Sequence, residues 1–198
     1  MTRAARREQV LDAATRAFIL GGYHGTHVED VIREAGIARG TFYLYFESKH
    51  SVFEALVERM LAVLLDARPE GAVPDALDLR AARVQIRANY RAILDVLHRH
   101  RDLFRLLMEE AAGADKGFDD RLTAHRAAWQ KRVRDRIGVM TDRGLGRRDL
   151  DRDVAGWAIV GMVEMVVRVY VLRGHEPDLD RLADALADMD LRGVAGRA

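Results

Sequence analysis

Residues 36–49 read GIARGTFYLYFESK, and Phe42, Tyr43, Tyr45 and Phe46 crowd into five positions of this stretch. The whole chain has only six phenylalanines, five tyrosines and two tryptophans, so the crowding needs a physical reason. A short helix from about Arg39 to Phe46 separates the rings. At about 100° per residue, Phe42 and Phe46 fall together, whereas Gly40, Tyr43 and Leu44 point to the other side. Phe42 and Phe46, with Ile37, are expected to pack inward. Thr41, Tyr43 and Tyr45 are expected to present hydroxyls beside the Arg39 fork, with Gly40 letting another surface come close.

Working outward from this stretch, apolar residues recur at three and four in segment after segment, few alternating β-branched runs occur, and only three prolines are present. The expected fold is all-α, with about nine helices. A first helix spans about Arg6–Leu20, with Val10, Leu11, Ala14 and Phe18 inward, and Gly21-Gly22 ends it. A second begins at Thr26, where Thr26 and Glu29 fit a capping box, and Gly36 follows as a left-handed cap. Two helices joined through Ala35-Gly36-Ile37, the second brief, are the arrangement of a helix-turn-helix. Ser48 is the expected N-cap of a fourth helix, which Arg68-Pro69 stops. Beyond a linker at 66–78, long helices are expected at about 79–99, 118–143, 152–173 and 179–191, with a shorter one at about 102–112 and a loop at 113–117.

With 198 residues the chain can bury a full core, and its formal net charge of +1 gives no bulk electrostatic argument for nucleic acid. Any DNA contact must rest on a local footprint. No cysteine is present, so disulfides and thiolate metal sites are excluded. The start of the chain carries arginines without an apolar run, which is not the pattern of a signal peptide. Arg3, Arg6 and Arg7 would form a short basic arm along the DNA backbone. Ser48 and Lys49 open a helix whose free amides favour a phosphate.

The run from Arg7 to Met60 resembles the N-terminal DNA-binding domain of the TetR family of bacterial transcriptional regulators. The match includes Gly22-Tyr23, Thr26, Val31, Ala35-Gly36, Gly40-Thr41-Phe42-Tyr43, Tyr45-Phe46 and Ser48-Lys49. The resemblance implies a DNA-binding domain at 1–48 and a helical ligand-binding and dimerisation domain at 49–198. It implies a cytoplasmic homodimeric repressor of a palindromic double-stranded DNA operator, released by a small apolar or amphipathic effector. Carried over by position, Arg39, Gly40, Thr41, Tyr43 and Tyr45 would face DNA, while Lys49 and the region of Thr26 would hold phosphates. His27 stands where the family often has a second hydroxyl residue; a protonated imidazole there would make affinity sensitive to pH.

The segment 154–172, VAGWAIVGMVEMVVRVYVL, approaches the length of a membrane span. Glu164 and Arg168 lie four apart in it, where a soluble helix lets them pair and a bilayer penalises both, so no membrane is expected. The resemblance implies that this helix and the last one form the dimer interface, through Met165, Val169, Leu172, Leu182, Leu186 and Met189. On helices that line pockets in the family, Tyr90, Leu94, Leu97, Phe104, Met108, Trp129, Trp157 and Met162 are ligand candidates, with Glu164 or Glu109 available to a cationic ligand. No cofactor or metal is expected. His98 and His100 point about 200° apart on a helix, and Asp149, Asp151 and Asp153 lack the glycine and glutamate of a calcium loop, which makes helix capping their better explanation. No catalytic constellation can be assembled. The rival reading is a helical small-molecule or lipid-binding module without DNA function.

Overall fold

The computed structural model describes residues 2–66, 78–110, 116–173 and 176–195, without the side chains of 64–66, 109, 110, 116 and 118. Most of the 66–78 linker with its Pro69 stop, most of the 113–117 loop, and the Glu109 side chain therefore lie outside the described residues. Among those described there are nine α-helices and no strand: α1 (Arg3–Gly25), α2 (Val28–Ala35), α3 (Arg39–Tyr43), α4 (Lys49–Asp66), α5 (Leu79–Arg99), α6 (Arg101–Glu110), α7 (Lys116–Asp142), α8 (Arg152–Val166) and α9 (Leu179–Val194). A π-helical turn, Val167–Val171, continues α8. The expected all-α fold is found.

The chain divides into two compact units, residues 1–63 with 102–120 and residues 64–101 with 121–198. Most of α4 thus groups with the first three helices rather than with the second half. Its Phe53 ring lies 4.5 Å from Tyr23 and 6.2 Å from Phe18, and Arg59 reaches Glu8, Asp12 and Thr15 on α1. Val10, Leu11, Ala14 and Phe18 are fully buried, joined in the core by Val31, Phe42, Phe46, Val52 and Leu56.

Three expectations change. α1 starts at Arg3, capped by the Thr2 hydroxyl, so the basic residues are helical rather than a loose arm; Arg6 donates to Gln9, and Arg7 lies over the Phe46 ring. Its chain continues past Gly21-Gly22 to Gly25 through a kink at Gly22 (φ 70°), a conformation glycine adopts without strain. α3 ends at Tyr43 rather than Phe46, because the Phe42 carbonyl accepts from both Tyr45 N–H (3.0 Å) and Phe46 N–H (3.1 Å), tightening the last turn. Ser48 does cap α4, exchanging reciprocal backbone-to-hydroxyl bonds with Ser51.

In the second unit α5 and α9 are joined by ion pairs at four-residue spacing on both helices. Arg83 bridges Asp188 and Asp184, Arg87 bridges Asp184 and Asp180, and Arg91 reaches Asp180. The hydrogen bond from Arg87 holds the Asp184 carboxyl below its usual range. Beneath this ladder Asp190 is buried. Its carboxylate accepts from the Tyr90 hydroxyl at 2.7 Å and from Arg136 Nη2 at 2.7 and 2.8 Å. A further cluster of Val133, Ile137, Met140, Ile159 and Val194 packs against Trp129. The segment Arg152–Val171 is long and apolar enough to cross a membrane by length and composition, with a mean hydropathy of 1.7, and a third of its most apolar window is buried. Glu164 pairs with Arg126 of α7 at 2.7 Å, not with Arg168 as expected, because α7 brings a guanidinium to it directly.

Candidate nucleic-acid interface

The turn between α2 and α3 is built from its backbone outward. Gly36 takes φ 62°, ψ 38°, a left-handed cap that a residue with a Cβ adopts at a cost. Its N–H donates to Arg33 O at 3.2 Å and the N–H of Ile37 to Ile32 O at 3.3 Å. Gln9 donates to Ala35 O at 2.8 Å, tying the end of α2 to α1. Ala38 is extended, and α3 starts with Thr41 N–H on Ala38 O at 2.9 Å.

Phe42 and Phe46 are buried against the core, as their spacing predicts, and the opposite side is open. Tyr43 is 45% exposed and Leu44 70%. Gly40 is exposed, and a Cβ built on it meets nothing within 4 Å. The protein itself therefore leaves this space empty. Arg39 is exposed, pairs with Glu29 of α2 at 3.0 Å, and sits 5.8 Å from the Tyr43 ring. Thr41 and Tyr45 are half-buried at the margin of the same surface. His27, exposed, is the N-cap of α2, and its backbone N–H donates to Asp30 Oδ2 at 2.8 Å. That bond, ahead of the Arg33 contact, holds the Asp30 carboxyl below its usual range.

Two residues of the expected DNA-facing set are occupied otherwise. The Thr26 hydroxyl is buried and donates to Gly22 O (2.7 Å) and Ala17 O (3.1 Å), so it closes α1 instead of capping α2. The capping box accordingly falls one residue later, at His27 and Asp30. The Lys49 ammonium donates to Tyr23 O (2.6 Å), Thr26 O (2.8 Å) and His24 O (3.4 Å) and lies 4.5 Å from the Tyr23 ring centroid. Its three N–H groups pin the start of α4 to the end of α1, which leaves none for a phosphate.

Residues 10–56 match the family described as "Bacterial regulatory proteins, tetR family". Over 147 residues the chain is 33% identical to the HTH-type transcriptional repressor Rv1474c of Mycobacterium tuberculosis, covering 68% of this chain and 72% of that protein. The chain belongs to the TetR family. It is a DNA-binding transcriptional regulator of the helix-turn-helix type, and α2 and α3 are the two helices of that motif. Solved structures share the fold of this TetR-family chain nearly end to end. The fatty acid degradation regulator FadR of Bacillus halodurans has a TM-score of 0.76 at 21% identity, over 98% of both chains. FadR of Bacillus subtilis, solved in complex with stearoyl-CoA, has a TM-score of 0.73 at 20% identity, over 94% of this chain and 98% of that one.

The regulatory candidates separate less simply. Tyr90, Leu94 and Leu97 are buried in the second unit, and the Tyr90 hydroxyl is already bonded to Asp190. Trp129 and Met162 are half-buried in that unit, whereas Phe104 and Met108 fall in the first. Trp157 is exposed, which takes it out of a buried lining. Of the expected dimer residues, Leu172, Leu182 and Leu186 are buried within the protomer, so they have no surface to offer a partner. Met165 (59% exposed), Val169 and Met189 (63%) are exposed, and Val154, Trp157 and Tyr170 join them. The apolar run of 154–172 was legible in the sequence. Which side of so apolar a helix its own protomer would cover was not.

Proposed function

We propose that this regulator is a cytoplasmic repressor that binds a palindromic double-stranded DNA operator as a homodimer and is released by a small apolar or amphipathic effector. Residues 1–48 carry the reading head and residues 49–198 the regulatory part. The observation that carries the DNA reading is the two-sided α3. Phe42 and Phe46 fix it in the core, while Arg39, Gly40, Thr41 and Tyr43 form an outward polar and aromatic surface with room at the glycine. Arginine and hydroxyl groups on such a helix reach phosphates and base edges in the major groove. Tyr45 and His27 flank that surface. A mobility shift on duplexes selected from a randomised pool tests it. Tyr43→Ala is expected to lose roughly tenfold to a hundredfold in affinity for the selected duplex, with folding unchanged because the side chain is exposed. Equal binding of wild type and Tyr43→Ala to selected and scrambled duplexes would sink the reading. A binding module without DNA function predicts no salt-dependent preference at all.

The homodimer rests on the exposed stripe of α8 and the π-helical turn that continues it, Val154, Trp157, Gly161, Met165 and Val169, with Met189 of α9. A second copy covers so long an apolar face by two-fold symmetry, and Gly161, whose Cβ position is open, allows the helices to approach. Met165→Glu places a charge there and is expected to convert a micromolar dimer to monomer in sedimentation velocity, without loss of helicity. A wild-type chain that sediments as a monomer at that concentration contradicts the assignment. For the effector, Leu94 and Leu97 with Trp129 and Met162 supply apolar surface in the second unit, and the stearoyl-CoA complex of the Bacillus subtilis neighbour supports an amphipathic class.

A further inference from the structure

We infer that Leu44 is a base-reading residue, and that what it reads is the 5-methyl group of a thymine in each half-site. The inference rests on the proposal that α3 enters the major groove. Leu44 follows α3 directly with φ −73°, ψ −18°, so it continues the helical phase and lies one turn beyond Gly40. It is among the most exposed large apolar side chains of the described residues, at 70%. An isolated surface leucine would need no explanation. This one follows the exposed Tyr43 and lies one helical turn beyond Gly40, where a Cβ meets no protein atom within 4 Å. Gly40, Tyr43 and Leu44 are all exposed, with open space at the glycine and an apolar side chain at the leucine, on the side away from Phe42 and Phe46.

The chemistry of the groove selects the occupant. Leucine has no donor or acceptor, so it cannot read guanine, cytosine or adenine edges by hydrogen bonding. Thymine alone presents a methyl group in the major groove. Contact with it removes about one methyl group from water, worth roughly a threefold to tenfold affinity difference for each base so read.

The test replaces thymines with deoxyuridine, one at a time, in a duplex that the wild-type protein selects from a randomised pool. Wild type is expected to lose roughly threefold to tenfold at one thymine per half-site and little elsewhere. Leu44→Ala is expected to bind the thymine and uracil duplexes alike while still preferring the selected sequence over a scrambled one. Circular dichroism melting checks that Leu44→Ala folds as wild type does. Indifference of wild type to deoxyuridine at every position overturns the inference, as does methyl sensitivity that persists in Leu44→Ala; both leave specific DNA binding intact. Failure of wild type to select any duplex overturns the DNA-reading proposal and this inference with it.

Discussion

Replacing Asp190 with alanine is expected to lower folding stability by about 3–5 kcal/mol, because it strands the half-buried Arg136 guanidinium and the Tyr90 hydroxyl together. Asp190 is 1% exposed, and both of its oxygens accept bonds. Arg136 Nη1 is itself buried with no hydrogen-bond partner, so the arginine has no second acceptor to turn to. Urea unfolding of the full chain reads the effect. The pair Asp190→Leu with Arg136→Met is expected to recover most of the loss, since a buried ion pair is replaceable by apolar volume whereas half of one is not. A single mutant as stable as wild type would mean that water relieves the site.

The same site gives the fold an alkaline limit. Burial, reinforced by the Asp190 charge, pushes the Tyr90 hydroxyl well above the usual tyrosine value of 10.0. The folded state thus holds this proton more tightly than the unfolded one. The resulting stability is complete below about pH 10 and is lost as pH rises from there through the folded value. Tyr90→Phe is expected to be less stable at neutral pH by about 1 kcal/mol and to show a shallower alkaline decline than wild type in parallel melts.

Phe42→Ala is expected to cost about 3–5 kcal/mol in the first unit and to abolish operator binding, although Phe42 touches no DNA in the proposed complex. Its ring is fully buried, 6.1 Å from Phe46 and 5.3 Å edge-on to Tyr43. Removing it leaves a cavity beneath a five-residue helix that has little stability of its own. Hydrogen exchange of α3 amides should rise to the rate of the unfolded chain, in contrast to Tyr43→Ala, which should lose affinity with exchange unchanged. If Phe42→Ala keeps wild-type protection in α3, the ring is not what holds that helix.

The two-faced α3 was legible because its glycine and aromatics have fixed helical phases that one angle per residue resolves. The start of α2 was misplaced by one residue because Thr26-x-x-Glu29 fits the capping pattern, whereas the His27 and Asp30 pair that the structure uses does not. The Thr26 hydroxyl is claimed by the carbonyls of Gly22, at the kink in α1, and of Ala17 earlier in the same helix, which the capping pattern did not specify. Lys49 was misread for a similar reason: the acceptors that take its protons lie more than twenty residues away. On α9, apolar periodicity identified Leu182 and Leu186 as one face, but periodicity does not say whether that face meets its own chain or a second copy. Asp190 carried an unused signal. It falls four residues after Leu186 on the buried face, where an acid requires a partner; α5 supplies only the Tyr90 hydroxyl, and the charged partner, Arg136, comes from α7.

The empty space at Gly40 sets two selections against each other. For the free protein an alanine fits without contact, φ is not positive, and the helix gains up to about 1 kcal/mol. A screen for heat tolerance alone should therefore drift toward alanine at this position, whereas a screen for repression should hold glycine. A library passed through both would separate the needs of the folded chain from those of its complex at a single residue.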